Sequence, residues 1–193
     1  MSKFIISLDF ELKWGVRDAL DKSYNENLLG ARHVIPKILN LFKQHRIKAT
    51  WAIVGFLFNS TREEFYKYKP LLEPSYKDDR INPYLENIGL SEEFDRIHYA
   101  ESIVKMIHKF PGQEIGSHTY SHYNCKDKSQ KRCEFESDIE SAVKVAKEKF
   151  NINMTSFVFP RNEIKTEYLN VIKKYNFTHY RGKSGSFYFF KRT

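Results

Sequence analysis

Two short runs of this sequence carry side chains able to bind a cation and move a proton. Asp9-Phe10-Glu11 follows the apolar run Phe4 to Leu8, and alternation along an extended chain puts both carboxylates on one side. Two neighbouring acids can divide labour, one ligating a cation and the other staying free as a base. Alone, the pair equally describes two solvated acids closing a strand. The second run, His118-Thr119-Tyr120-Ser121-His122, has the H-x3-H spacing. On a helical turn this puts both imidazoles on one face, about 5–6 Å apart at Cβ. Two neutral imidazoles and a carboxylate leave open positions on a metal, which suits catalytic zinc or a similar divalent ion. They equally suit non-haem Fe(II). A second carboxylate beside the metal argues for water activation instead.

These residues need elements that bring them together. Strand-like runs occur at 4–8, 48–54, 113–117, 156–159 and 177–180. Helical patterns separate them. Val34, Ile35, Ile38, Leu39 and Phe42 share a face, with Pro36 tolerable only in a first turn. A second stripe is Phe135, Ile139, Val143, Ala146 and Phe150. Further helices are expected near 61–68, over Tyr99 to Phe110, and from Thr166 as N-cap to Tyr175. Residues 59–98, with Pro70, Pro74 and Pro83, form an irregular excursion in one domain spanning 1–193. Alternating strands and helices predict an α/β fold with a parallel sheet or barrel, whose chemistry collects at the carboxyl ends of the strands. Those ends carry Asp9 and Glu11, then Gly55, then His118 and His122, then Pro160, Arg161 and Asn162, and last Arg181 and Gly182.

The chain has 193 residues with 41% apolar side chains, 16 Phe and 12 Tyr, enough for one substantial core. The net charge of +8 suits an acidic partner, yet the basic residues are scattered and form no nucleic-acid module. No nucleic-acid partner is expected. Cys125 and Cys133 do not match a paired-cysteine zinc knuckle, so free thiols in a reducing compartment are expected. No run of 18 apolar residues occurs, which predicts no membrane span and a soluble, cytoplasmic protein. Trp51 is expected in the core and His33, His45, His98 and His108 on the surface. Trp14 has two readings, core packing and the mouth of the site.

The order SLDFE, ATWAIVG, EIGSHTYSH, FVFPRN resembles the polysaccharide deacetylase family, carbohydrate esterase family 4, over roughly residues 3–60 and 99–182. The resemblance implies a distorted (β/α) barrel that removes an acetyl group from an N-acetylated sugar or glycan, and the five strand runs readable up to Tyr180 make the barrel expected here incomplete. It implies Asp9 as base, with Glu11, His118 and His122 as ligands of a divalent metal, zinc first, with cobalt, manganese or nickel as alternatives. The first motif here is D-x-E, as in a subgroup of the family. The family's arginine before the proline, which pairs with the base, is replaced by Val158. Arg161 is then expected to orient Asp9 or hold substrate, with Trp14, Pro160, Asn162 and Arg181 binding substrate. The late histidine that serves the family as general acid has no match, since His179 falls within the fifth strand run. The competing reading is a catalytically weakened glycan- or nucleotide-sugar-binding domain of the same fold. A sixth strand starting in Phe187-Tyr188-Phe189-Phe190 would leave a free edge, for which a homodimer is the expected remedy.

Overall fold

The computed structural model describes residues 4–183, so the run Phe187 to Phe190 lies outside the described residues. Along the chain come β1 (Ser7–Phe10), the single turn α1 (Lys13–Val16), α2 (Asn25–Gln44), β2 (Ala49–Ile53), α3 (Arg62–Lys67) and α4 (Glu101–Lys109). They are followed by β3 (Gln113–Ser117), α5 (Arg132–Phe150), β4 (Ser156–Val158), α6 (Thr166–Lys174) and β5 (His179–Arg181). The strands lie in the order β1-β2-β3-β4-β5, all parallel, and the sheet curls into a half-barrel. The α/β barrel expected from the sequence is therefore present as an open half.

The register decides which residues face the concavity. Ser7 pairs with Thr50 and Asp9 with Ala52; Thr50 pairs with Glu114, Ser156 with His179, and Val158 with Arg181. Side chains from these rows meet: Thr50 Oγ1 and Ser156 Oγ both donate to the Glu114 carboxylate, at 2.6 Å each. Small and polar residues thus stand on the inside, around a cavity of about 490 Å³ whose walls include Ser7, Thr50, Ser156 and Arg181. The alternate residues Phe10, Trp51, Ile53, Ile115 and Phe157 are buried in the hydrophobic core. Trp51 is core, as expected.

Several local expectations are corrected. The first strand begins at Ser7, because β2 offers its ladder only from Thr50 onward; Phe4 and Ile5 are exposed, and Asp9 sits inside the strand. Helix α2 starts at Asn25, so Pro36 lies in its interior, where it supplies no N–H to the preceding turn. Its buried face is Leu28, Arg32, Ile35 and Leu39, and Val34 is exposed. His98 is buried and not a surface residue: its Nδ1 lies 2.8 Å from Asp95 Oδ2 and its Nε2 3.5 Å from Glu86 Oε1. Helix α6 starts at Thr166 itself, with Lys165 in the cap position.

The excursion 59–98 is irregular but fixed. Thr61 caps α3, its hydroxyl accepting from Glu64 N at 3.2 Å. Leu72 N donates to Ser137 Oγ, Asn124 N donates to Tyr76 Oη, and Arg17 Nη2 donates to Ile81 O. The segment is thereby tied to α5, to the loop after β3 and to the residues just past α1. Among the described residues no helix is long and apolar enough to cross a membrane.

Phe135 of α5 has no exposed surface and stacks on Tyr168 of α6 with ring centroids 3.9 Å apart; Phe157 and Phe159 of the β4 region pack against it too. Phe135→Ala is expected to cost about 3–5 kcal/mol of unfolding free energy, the usual range for removing a core phenylalanine. Urea unfolding of the metal-free protein measures it, and a loss under about 1 kcal/mol would mean that this layer is not the centre of the core.

Candidate metal centre

Glu11 leaves the end of β1 and turns back over α1. Leu12 takes a left-handed backbone (φ 45°), Trp14 N donates to Glu11 O at 3.0 Å, and the Glu11 side chain lies over Gly15. A Cβ built on Gly15 would sit 2.1 Å from the Glu11 carboxylate, so only glycine leaves the acid where it is. Trp14 locks the turn from below. It has no exposed surface, its indole N–H donates to His98 O at 2.9 Å, and its ring packs on Phe56. Trp14 is therefore core, and its assignment to the mouth of the site is corrected.

His118 and His122 follow β3 on an irregular loop. The helical turn expected for H-x3-H does not form, because Thr119 (φ 63°) and His122 (φ 53°) take left-handed backbones. Each such residue costs on the order of 1 kcal/mol and needs surrounding contacts to persist. Asp138 of α5 supplies them. Its fully buried carboxylate accepts from Tyr120 N at 2.6 Å, from Ser121 N at 3.1 Å and from the Ser121 hydroxyl. On the other side Gly55, past the end of β2, donates to Thr119 O at 2.9 Å, and a Cβ there would lie 2.7 Å from the Tyr120 backbone.

The loop brings the two rings to a centroid separation of 5.1 Å. Glu11 Oε2 lies 3.3 Å from His118 Nε2 and 3.0 Å from His122 Nε2, and the three donor atoms fall within 4.8 Å of one another. Burial pushes His122 down to about 4, with the neighbouring His118 helping and Glu11 opposing, so its ring is neutral at pH 7. For Glu11 burial acts to raise the pKa, but the two imidazole contacts outweigh it and hold the carboxyl well below the usual range. His118 Nδ1–H donates to the Val158 carbonyl at 2.9 Å. That bond orients the ring so that Nε2 faces a Glu11 carboxylate oxygen. Three potential ligand atoms thus converge in a mostly buried place. The residues present fit a divalent metal with two nitrogen ligands and one oxygen ligand, and such a set suits zinc.

Asp9 is not part of the three-residue cluster. Its carboxylate is held by Arg181 of β5, whose Nη2 reaches Oδ1 at 2.5 Å and also Oδ2. Arg161 does not orient Asp9. The tandem left-handed residues Arg161 (φ 55°) and Asn162 (φ 57°) turn its side chain away, and its Nη2 lies 2.6 Å from both oxygens of Asp18. Pro160 is buried, and Asn162 Oδ1 accepts from Arg181 Nε at 3.3 Å. The other histidines bond elsewhere. His33, His45 and His108 are exposed, His98 sits with Asp95 and Glu86, and His179 Nδ1 meets Thr178 Oγ1. Cys125 and Cys133 are free, and neither belongs to the cluster.

Sequence reasoning missed Asp138, Gly15 and the Val158 carbonyl. An acid between Phe135 and Ile139 on a buried helix face was a visible signal for the first. A backbone carbonyl leaves none.

The profile of the polysaccharide deacetylase family matches residues 21–180. The chain belongs to that family. The match starts after Asp9 and Glu11, so the roles of these two rest on geometry within this chain. No curated protein matches the sequence significantly. Solved structures share the fold. One is a family 4 carbohydrate esterase pseudoenzyme from Bacillus anthracis, with TM-score 0.52 at 16% identity, covering 92% of this chain and 42% of that one. Another is the Streptococcus pyogenes deacetylase PplD in complex with acetate, with TM-score 0.52 at 10% identity, covering 90% and 52%. A third is the family 4 carbohydrate esterase from Streptomyces lividans in complex with acetate, with TM-score 0.50 at 15% identity, covering 91% and 59%. The chain thus spans about half the length of these structures.

Two outcomes follow from the geometry. Gly15→Ala displaces the Glu11 carboxylate and is expected to weaken zinc binding ~10–100-fold, the scale of lost ligand support. Competition titration against a chromophoric chelator reads it, and unchanged affinity would mean that Glu11 is not a ligand. Burial raises Asp138 from 3.8 to about 6. Its folded pKa lies above the unfolded one, so its stabilising contribution is full below about pH 4 and lost as pH rises through about 6. Between those values wild type should lose up to about 3 kcal/mol relative to Asp138→Asn, from two pKa units at ~1.4 kcal/mol each. Parallel stability curves for the two metal-free proteins would contradict the burial argument.

Proposed function

We propose that this chain is a metal-dependent N-deacetylase acting on an N-acetylated sugar or glycan. The observation that carries the reading is the convergence of Glu11, His118 and His122 at strand ends, with the carboxylate of Asp9 two residues away on β1 and outside the ligand set. Membership of the polysaccharide deacetylase family supports the substrate class. A divalent cation held by the three ligands supplies Lewis acidity for the water and for the amide carbonyl.

The chain's own groups do the rest. Asp9 is an acceptor whose carboxylate is fixed by Arg181, and it takes the proton of the attacking water. Protonated Asp9 then returns that proton to the leaving amine nitrogen, because among the described residues no histidine other than His118 and His122 stands at the cluster to do so. One group serving as base and then acid works at reduced efficiency, since the pKa optimal for one role is not optimal for the other. The two free cysteines support a reducing compartment.

A second reading keeps the metal and the sugar but not the turnover: a domain that binds a glycan or a nucleotide sugar. It draws on the unmatched acid histidine and on the likeness of fold to a pseudoenzyme. Acetate release from N-acetylated oligosaccharides separates the two. Asp9→Asn should retain the metal and lose at least ~100-fold in rate, the scale of removing a general base. Glu11→Gln should instead lose metal occupancy. If both variants keep the metal equally, the division of labour between the two acids is wrong.

A further inference from the structure

We infer that Arg181 is the base-positioning residue of this chain, and that β5 thereby belongs to its catalytic apparatus. The inference rests on the reading of Asp9 as the base. Within the family pattern the arginine that pairs with the base stands before the proline on β4, and Val158 occupies that place here. No other residue of β4 or of the following turn reaches Asp9, since Arg161 is bound to Asp18.

The placement of Arg181 can be read donor by donor. Nη1 donates to the Ser7 carbonyl at 3.2 Å and to the Ser7 hydroxyl at 2.8 Å. Nη2 spans both oxygens of Asp9, and Nε donates to Asn162 Oδ1 at 3.3 Å. A guanidinium has five N–H donors, and each has an acceptor here. None is left for a substrate, so the substrate-binding role expected for Arg181 gives way to a positioning one. Val158 still enters the design: it pairs with Arg181 in the sheet, and its carbonyl holds His118. One rung of the β4–β5 ladder thus aligns a metal ligand and the base.

The geometry also crosses the open side of the half-barrel. Among the described residues β1 and β5 are the two edges of the sheet and do not pair with each other. Arg181 bonds to Ser7 and Asp9 of β1 from the opposite edge, so the side chain that fixes the base also ties the edges together. The left-handed Asn162 supports it from the β4 turn; asparagine tolerates that backbone well, and the turn is held because Asn162 N donates to Phe159 O at 2.9 Å. A lysine at 181 offers one point charge with no fork, and cannot hold Asp9, Ser7 and Asn162 together.

The test uses the zinc-loaded protein, with acetate release as readout. Arg181→Ala should lower kcat about 10- to 100-fold, with KM changed less than about threefold and metal stoichiometry unchanged, as for a base misplaced by about an ångström. Guanidinium chloride at millimolar concentration should restore part of kcat in Arg181→Ala and none in Asp9→Asn; Arg181→Lys should restore less than a twofold share. A wild-type kcat in Arg181→Ala overturns the inference, and so does a loss that follows metal release or unfolding and resists guanidinium. If wild type itself releases no acetate, the functional reading has failed separately. The pairing is then judged on metal-free protein by thermal melts of Arg181→Ala, Asp9→Asn and the double variant. Non-additive midpoints support the pairing, and additive ones overturn it.

Discussion

Between His118 and His122 the backbone passes twice through the left-handed region, and the carboxylate of Asp138 is what keeps it there. A helical turn would satisfy its own amides. This loop cannot, so the amides of Tyr120 and Ser121 would be orphaned in a buried place without an acceptor, at about 1–3 kcal/mol each. Asp138 accepts both and the Ser121 hydroxyl as well. Its cost is a buried acid pushed up to about 6. Placement of the two imidazoles, and with them any cation, follows from this one carboxylate on the buried face of α5.

Glu11 is placed by a different means. Glu11 depends on the absence of a side chain at Gly15 and on Trp14, whose indole is anchored through His98 to the excursion 59–98. A segment that looks like an interruption of the strand–helix rhythm is therefore structural support for the Glu11–His118–His122 cluster. The same distribution appears at Asp9, which sits on β1 but takes its orientation from the last described strand. These side chains and their supports come from separate stretches of chain, and the parallel sheet is what gathers their ends.

Much of this was legible in the sequence for physical reasons. Strand-to-helix alternation and apolar periodicity gave the element order, and ligand-capable residues stood at the strand ends where parallel folds place chemistry. What the sequence hid has causes of its own. Asp9-Phe10-Glu11 looks like a pair sharing one side of a strand, but the strand ends at Phe10 and the turn through Leu12 sends Glu11 to the histidines while Asp9 stays with Arg181. Arg161 stood nearer in sequence to the expected motif, yet backbone handedness at two successive residues decided where it points. His98 looked like a surface histidine because its partners Asp95 and Glu86 lie in a segment without periodicity. Pro36 lies inside α2 because tertiary burial of Leu28 through Leu39 outweighs one missing hydrogen bond.

The central claim is that Glu11, His118 and His122 together hold one divalent cation. Titrating metal-free protein with Co2+ while recording the visible spectrum tests it most directly, because ligand-field bands report both the number of sites and the kind of ligand. The account predicts bands that saturate at one equivalent, carry no thiolate-to-cobalt charge transfer, and vanish when Glu11, His118 and His122 are replaced together by alanine. Bands that survive that replacement, or a thiolate charge-transfer band that brings Cys125 or Cys133 into the site, would contradict it.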